Sequence, residues 1–448
     1  MIGCSRLDKE ITARHSSRVT QALQLAKHPM LRDQIVLIML SFGVNALAFL
    51  FQFLMARVMT PTAWKDTMAI LALLTIISVP SIAINTLAIK MSGELHIRNQ
   101  FEDLWRWITR TIGLVLVAGA AVAAAFALLS GWITEQLQLE ASSGVVVAGL
   151  ACALLLGSTV VRGALAGVRS FVTLGVISMT ETLTRVITAV VMVTAGFAAA
   201  GAVGGSAAGA FLFIALGLVF LRKRRNSAPE QTSSTADLPQ WTEQARILTI
   251  SFGLAVLFNI DSLIVARFFS TEAAASYLAM GLIGRTIFFM SGPVSIVLLP
   301  HVIRVYTSGS SIVPSLALAL ALITLIVTTT AVSILVFPTQ IFNLVFREGY
   351  TLDLTILSIY AVIGSLFAVN AALANVLIGV GYLRAWIGML VIALGLIASL
   401  FVLHDSLTQI ALVLATAVSI SVLYLLSLIH ISEPTRPRLI SYAVFCLK

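Results

Sequence analysis

The sequence predicts an all-α polytopic membrane protein of about 12 transmembrane helices, in two six-helix lobes related by a parallel internal repeat. Three observations carry this. Apolar residues make up 59% of the chain and charged residues only 10%, with a mean hydropathy of +1.02, which leaves too little polar surface for a soluble monomer. The apolar residues fall in blocks long enough to cross a bilayer. Finally, "SFGVNALAFLFQFLMAR" (41–57) aligns without gaps to "SFGLAVLFNIDSLIVAR" (251–267) at an offset of 210 positions.

Taken at about 20 residues per crossing, the spans are expected at 33–57, 67–91, 106–132, 144–168, 173–197, 199–221, 245–268, 276–300, 312–337, 352–379, 382–403 and 406–426. Six spans separate the two copies of the repeat. That even number makes both copies run the same way through the membrane, related by an axis along its normal. The expected organisation is a cytoplasmic N-terminal segment 1–32, an N-lobe 33–221, a cytoplasmic linker 222–243, a C-lobe 244–425 and a tail 426–448. The linker, "RKRRNSAPEQTSSTADLPQ" (222–240), has the Ser, Thr, Pro and charge content of a flexible connection. On the sixth span Gly201, Gly205 and Gly209 form one small-residue face, read as helix packing.

Basic residues orient the bundle, because cytoplasmic loops retain Lys and Arg. Arg6, Lys9, Arg14, Arg18, Lys27 and Arg32 precede the first span; Arg98 and Arg106 mark the second loop; Arg222 to Arg225 mark the sixth. Both termini are therefore expected in the cytoplasm. The formal charge of +9 is mostly this asymmetry together with contact to anionic lipid headgroups, rather than nucleic-acid binding. The first 30 residues contain no apolar signal-peptide core.

The end of the chain, "LSLIHISEPTRPRLISYAVFCLK" (426–448), replaces helix periodicity with Pro434, Pro437 and two arginines. It resembles translated sequencing-adapter DNA and is expected to be an artefactual tail. Setting Cys446 aside leaves Cys4 and Cys152, which imply neither a disulfide nor a metal cluster. Phosphate-cradling Gly-rich loops, H-E-x-x-H and nucleophile elbows are absent from the sequence. No enzymatic chemistry and no cofactor are therefore expected.

Three stretches, "RGALAGVRSFVTLGVISMTETLTRVITAVVMVTAG" (162–196), "NIDSLIVARFFSTEAAASYLAMGLIGRTIFFMSGPVSIVLLP" (259–300) and "LFAVNAALANVLIGVGYLRAW" (366–386), carry a family likeness. They resemble the polysaccharide transporter, or oligosaccharide flippase, branch of the multidrug/oligosaccharidyl-lipid/polysaccharide exporter superfamily. The resemblance spans roughly 33–425 and implies alternating access between two lobes, moving an undecaprenyl-pyrophosphate-linked oligosaccharide from the inner to the outer leaflet for cell-surface polysaccharide. It also implies a bacterial inner-membrane location, with membrane lipids, a polysaccharide polymerase and glycosyltransferases as partners. One departure is "MTPTAWKD" (59–66), where the family has a Gly-containing turn.

Such a substrate needs a laterally reachable cavity with polar walls and compensation for pyrophosphate charge. Intramembrane polar residues usually face a bundle interior or a wet cavity. Arg285 and Arg185 are the expected headgroup contacts, since a guanidinium binds phosphate oxygens bidentately and stays charged. Asn45, Gln52, Asn259, Asn370 and Asn375 could bond sugar hydroxyls, or serve as interhelical contacts. Asp261, Glu181 and Arg162 are the ion-pair or coupling candidates. Asp261 and Arg285 are expected to meet across a helical hairpin at depths of roughly 9 and 14 Å. Two alternatives remain open at this point: a cation-coupled multidrug exporter, and a membrane glycosyltransferase or ligase.

Overall fold

A computed structural model describes residues 29–225, 241–307 and 313–432. Most of the N-terminal segment, most of the linker and the tail beyond Ser432 lie outside the described residues. Among those described the regular structure is helical throughout. The N-lobe is built from α1 (Pro29–Val58), α2 (Pro61–Ile77), α3 (Ser81–Ile97), α4 (Phe101–Leu128), α5 (Ser130–Gln136), α6 (Ser143–Gly167), α7 (Phe171–Met192) and α8 (Ala198–Arg225). The C-lobe is built from α9 (Trp241–Phe268), α10 (Thr271–Thr307), α11 (Val313–Val336), α12 (Pro338–Val345), α13 (Leu354–Gly379), α14 (Ala385–Val402) and α15 (Leu407–Ser432).

Among the described residues, nine helical stretches are long and apolar enough to cross a membrane, or ten with one bent pair counted. One of the nine, Phe171–Lys223, is in fact two passes. The backbone breaks at Gly196 (φ 95°) and Ala198 (φ 42°), after which α8 runs back along α7. A Cβ added at Gly201, Gly205 or Gly209 would stand 2.9 Å from Met192 Cβ, 2.5 Å from Arg185 O and 2.8 Å from Glu181 O. As the number rises on α8 it falls on α7, so the helices are antiparallel and the glycine face is what lets them approach. With α1, which includes the apolar stretch Phe42–Val58, about 12 passes result.

The bent pair is α2 and α3, which the sequence reading makes one straight span. They meet at 48° across Ser78 to Pro80, because Pro80 has no N–H to donate and its ring crowds the preceding turn. In the C-lobe the repeat-equivalent stretch is the single helix α10, the same 210 positions on. In the "MTPTAWKD" stretch only Met59 and Thr60 form the turn, and the helix begins at Pro61. Thr60 caps α2 by accepting from Ala63 N at 3.3 Å, and Pro61 takes the first helical position, where no N–H is required. At the far end α15 continues to Ser432, past the expected boundary at 426. The stretch 426–432 holds neither proline nor glycine and the first proline is Pro434, so no helix breaker intervenes, and Ile429 is buried.

The repeat extends to packing. Helix α1 packs on α7 as α9 packs on α14, α4 on α6 as α11 on α13, and α6 on α8 as α13 on α15. Individual contacts repeat too: Gly43 faces Met179 and Gly253 faces Met389, each member displaced by 210. Even the short helices α5 and α12 correspond. Lobe faces away from these contacts expose Leu114, Val117, Leu325, Val391 and Leu423, the surface a lipid environment covers.

Between the lobes, α2 packs on α9 and α10, and α1 on α10 and α12. One end of this seam is latched twice. Arg57 Nη1 donates to Leu344 O at 2.7 Å, and Arg267 Nη1 donates to Gln136 through its side-chain oxygen and, at 3.5 Å, its carbonyl. Gln138 Nε2 closes the second latch on Arg267 O at 2.8 Å. The Trp64 ring meets Phe346 of the other lobe edge-on, with centroids 5.7 Å apart. Beside it Lys65, paired to Asp66 at 3.2 Å, donates to Gln138 O.

Candidate functional site

Two cavities lie behind this seam and share a wall. The central cavity, about 290 Å³, sits between the lobes and is lined by Asn45 and Gln52 of α1, Arg185 of α7, Asn259 and Ser262 of α9, and Arg285 of α10. Asn45 and Gln52 precede Arg57 by 12 and 5 residues, which places the cavity roughly 8–18 Å along α1 from the latch. A second chamber of about 290 Å³ lies within the N-lobe, with Ser78, Arg162, Ser178, Glu181, Arg185 and Ser206 among its walls. Arg185, Ala48, Leu71 and Thr75 line both.

The structure thus brings Asn45, Gln52, Arg185, Asn259 and Arg285 to one cavity, and Arg162 and Glu181 to the other. Asn370 and Asn375 line neither. Asn370 is fully buried, where its Oδ1 accepts from Ser421 Oγ at 3.0 Å across the α13–α15 contact. Asn375 lies five residues further along α13 and is half-buried.

The charges of the site are unevenly compensated. Asp261, fully buried on α9, takes both carboxylate oxygens to Arg285 Nη2 at 2.8 Å and also accepts from Tyr360 Oη of α13. Arg285 additionally lies 5.3 Å from the centre of the Phe258 ring. Glycine makes this crossing possible: a Cβ at Gly284 would fall 2.6 Å from Tyr360 O, and one at Gly364 would run into Gly284 O. In the N-lobe Glu181 is held by Arg162 Nη2 at 2.7 Å, while Arg162 Nη1 donates to Ser178 Oγ at 2.9 Å. Both acids of the site are therefore engaged.

Arg185 is the exception. Among the described residues no carboxylate pairs with it. Its guanidinium lies 4.1 Å over the Phe51 ring, and its Nε is buried without an acceptor. Phe51 is the repeat counterpart of Asp261, 210 positions earlier. Equivalent places on the first helix of each lobe thus hold an arginine, one by a carboxylate and one by a ring face. The first arrangement gives its guanidinium a counter-ion, and the second leaves it with none among the described residues.

Sequence reasoning missed Tyr360, Ser206 and the N-lobe chamber. Tyr360 sits in an apolar run with no motif around it. Ser206 lies among small residues of α8, where it reads as packing; in the structure it is 6% exposed and its Oγ has no partner among the described residues. Among the described residues no three His, Cys, Asp or Glu side chains come together to hold a metal ion.

No family model matches the chain, and no curated protein matches its sequence. Solved structures do match its fold. An outward-facing multidrug-resistance MATE transporter of the MOP superfamily superposes with a TM-score of 0.62 at 13% identity, covering 91% of this chain and 97% of its own. The lipid II flippase MurJ in an inward closed conformation gives 0.63 at 12%, covering 88% and 87%. The MATE multidrug transporter DinF-BH in complex with R6G gives 0.61 at 13%, covering 91% and 96%. At these identities the likeness is one of fold: two lobes of membrane-spanning helices with a cavity between them.

Proposed function

We propose that the protein is a membrane transporter that moves a polyprenyl-pyrophosphate-linked oligosaccharide from the inner to the outer leaflet by alternating access of its two lobes. The observation that carries this reading is the charge balance of the central cavity. Asp261 and Glu181 are taken by Arg285 and Arg162, while Arg185 faces the cavity without a counter-ion among the described residues. A cavity with spare positive charge favours an anionic headgroup. Asn45, Gln52 and Asn259 on the same walls supply donors and acceptors for sugar hydroxyls, and the Gln52 side-chain oxygen is buried without a partner among the described residues.

In this reading the pyrophosphate binds Arg185 and competes with Asp261 for Arg285, while the polyprenyl tail stays in lipid. Asp261 keeps Arg285 charged and oriented until the headgroup arrives. With both termini in the cytoplasm, the latched end faces outward and the structure is a state closed to the outside. Release requires the Arg57 and Arg267 latches to part and the lobes to rock about the cavity.

A multidrug exporter is the second reading, favoured by the Phe49, Phe258 and Phe289 rings on the cavity wall, which suit a flat cation. Loss of the gene in its host separates the two. Lipid-linked sugar accumulating on the inner leaflet supports the flippase, whereas drug hypersensitivity with normal lipid-linked sugar supports the exporter.

A further inference from the structure

The N-lobe chamber exists because three rings are missing. Through the repeat, Ala48 and Ser78 correspond to Phe258 and Phe288 at an offset of 210. Leu155 corresponds to Phe367 at 212, the offset fixed by the left-handed turns at Arg169 (φ 55°) and Gly381 (φ 75°) that follow α6 and α13. In the C-lobe these three rings fill the space: Phe258 lies 5.2 Å from Phe288 and 4.9 Å from Phe367, centre to centre. In the N-lobe Ala48, Ser78 and Leu155 all line the chamber instead.

The polar walls are as one-sided as the space. Arg162 corresponds to Ala374, Glu181 to Val391 and Arg185 to Gly395, so the C-lobe has no equivalent of the chamber's charges. Within the chamber Arg162 and Glu181 cancel, and Arg185 leaves one positive charge. Ser206 Oγ and Arg185 Nε are buried on its walls with no hydrogen-bond partner among the described residues. Buried polar groups are normally satisfied, and a cavity beside two that are not is a place built for a polar occupant.

We propose that this chamber is a binding site, distinct from the central cavity, for an oxyanion-bearing part of a lipid-linked sugar headgroup. Arg185 is its charge partner, and Ser206, Thr182 and Ser78 face the sugar's hydroxyls. What brings that part there rests on the flippase reading: Arg185 stands in both cavities, so a headgroup held centrally can extend its anionic end past it. The oxyanion is either the carboxylate of an acidic sugar or a phosphoryl oxygen of the carrier.

The first experiment tests the chamber without assuming transport. In the full chain, with Cys4, Cys152 and Cys446 changed to alanine and Ser206→Cys introduced, the rates of modification by an anionic and a cationic methanethiosulfonate of similar size are compared. The anionic reagent is expected to react roughly tenfold or more faster, the scale of one nearby charge in a partly dry cavity. Adding Arg185→Gln should abolish that preference. Equal rates before Arg185→Gln, or no reaction with either reagent, would overturn the proposal.

The second experiment restores the missing rings. Ser78→Phe and Leu155→Phe fill the chamber but do not line the central cavity, and each is assayed in proteoliposomes with two polyprenyl-pyrophosphate disaccharides, one neutral and one ending in a uronate. Size-exclusion and thermal stability check that each variant folds. Loss of uronate transfer alone identifies an acidic-sugar site, and loss of both identifies a phosphoryl site. Unchanged transfer of both by a folded variant shows that the chamber holds no substrate. If the unmodified protein moves neither lipid, the flippase reading fails while the thiol result stands by itself.

Discussion

Arg57 and Arg267 occupy equivalent places in the two halves of the chain, and each reaches across the lobe boundary to the end of the other lobe's short helix. Arg57 binds Leu344 O near the C-terminus of α12, and Arg267 binds Gln136 at the C-terminus of α5. A helix C-terminus leaves carbonyls without intrahelical donors and carries partial negative charge, so a guanidinium there is favoured twice. The two contacts close one end of the molecule with the symmetry of the repeat.

The double substitution Arg57→Gln with Arg267→Gln should therefore open that end. Each lost bond removes about 1–3 kcal/mol from the closed state, enough to shift the balance of states roughly tenfold or more. Spin labels at the exposed positions Glu135 and Glu348 would report it as a longer and broader distance distribution. An unchanged distribution would show that Trp64, Phe346 and their neighbours hold the seam without the arginines.

Asp261 is predicted to be required for Arg285 rather than for protons. Asp261→Asn leaves a buried guanidinium without its counter-ion, a loss of about 3–5 kcal/mol where the pair is dry, and should lower the amount of folded protein. Adding Arg285→Gln removes the stranded charge. If folded protein then recovers but flipping stays absent, the pair serves the substrate. Full recovery of both would mean that it only ties α9 to α10.

Gly364 is predicted to tolerate nothing larger. Its added Cβ meets the backbone of Gly284, which cannot rotate away as a side chain can, so Gly364→Leu must push α13 off α10 and break the reach of Tyr360 to Asp261. Thermal unfolding of the purified variant should show a strong loss of stability, beyond the ~1–3 kcal/mol typical of overpacking. A variant as stable as the parent would contradict the close crossing described here.

The lobes and their repeat were legible in the sequence because hydrophobic blocks and the 41–57/251–267 match are linear signals. The closeness of Asp261 and Arg285 was legible for a related reason: two residues at similar depth on consecutive helices have few other places to go. Pro80 marks the α2–α3 break in the sequence, but apolar periodicity runs straight through it. The N-lobe chamber was hidden, since it is written as Ala48, Ser78 and Leu155, unremarkable until set against their ring-bearing counterparts. Asn370 and Asn375 illustrate the same limit, because an intramembrane amide looks alike in sequence whether it faces a cavity or, as Asn370 does, a neighbouring helix.

The central claim, that the cavity carries an anionic lipid-linked headgroup past Arg185, is tested most directly by reconstitution. The purified full chain in proteoliposomes is given a fluorescent polyprenyl-pyrophosphate oligosaccharide, and its appearance in the opposite leaflet is followed with a membrane-impermeant quencher. Transfer above protein-free vesicles is expected, falling roughly 10–100-fold in Arg185→Gln as a charged hydrogen-bonding partner is lost. No transfer by the unmodified protein, together with uptake of a lipophilic cation that Arg185→Gln leaves intact or increases, would contradict it.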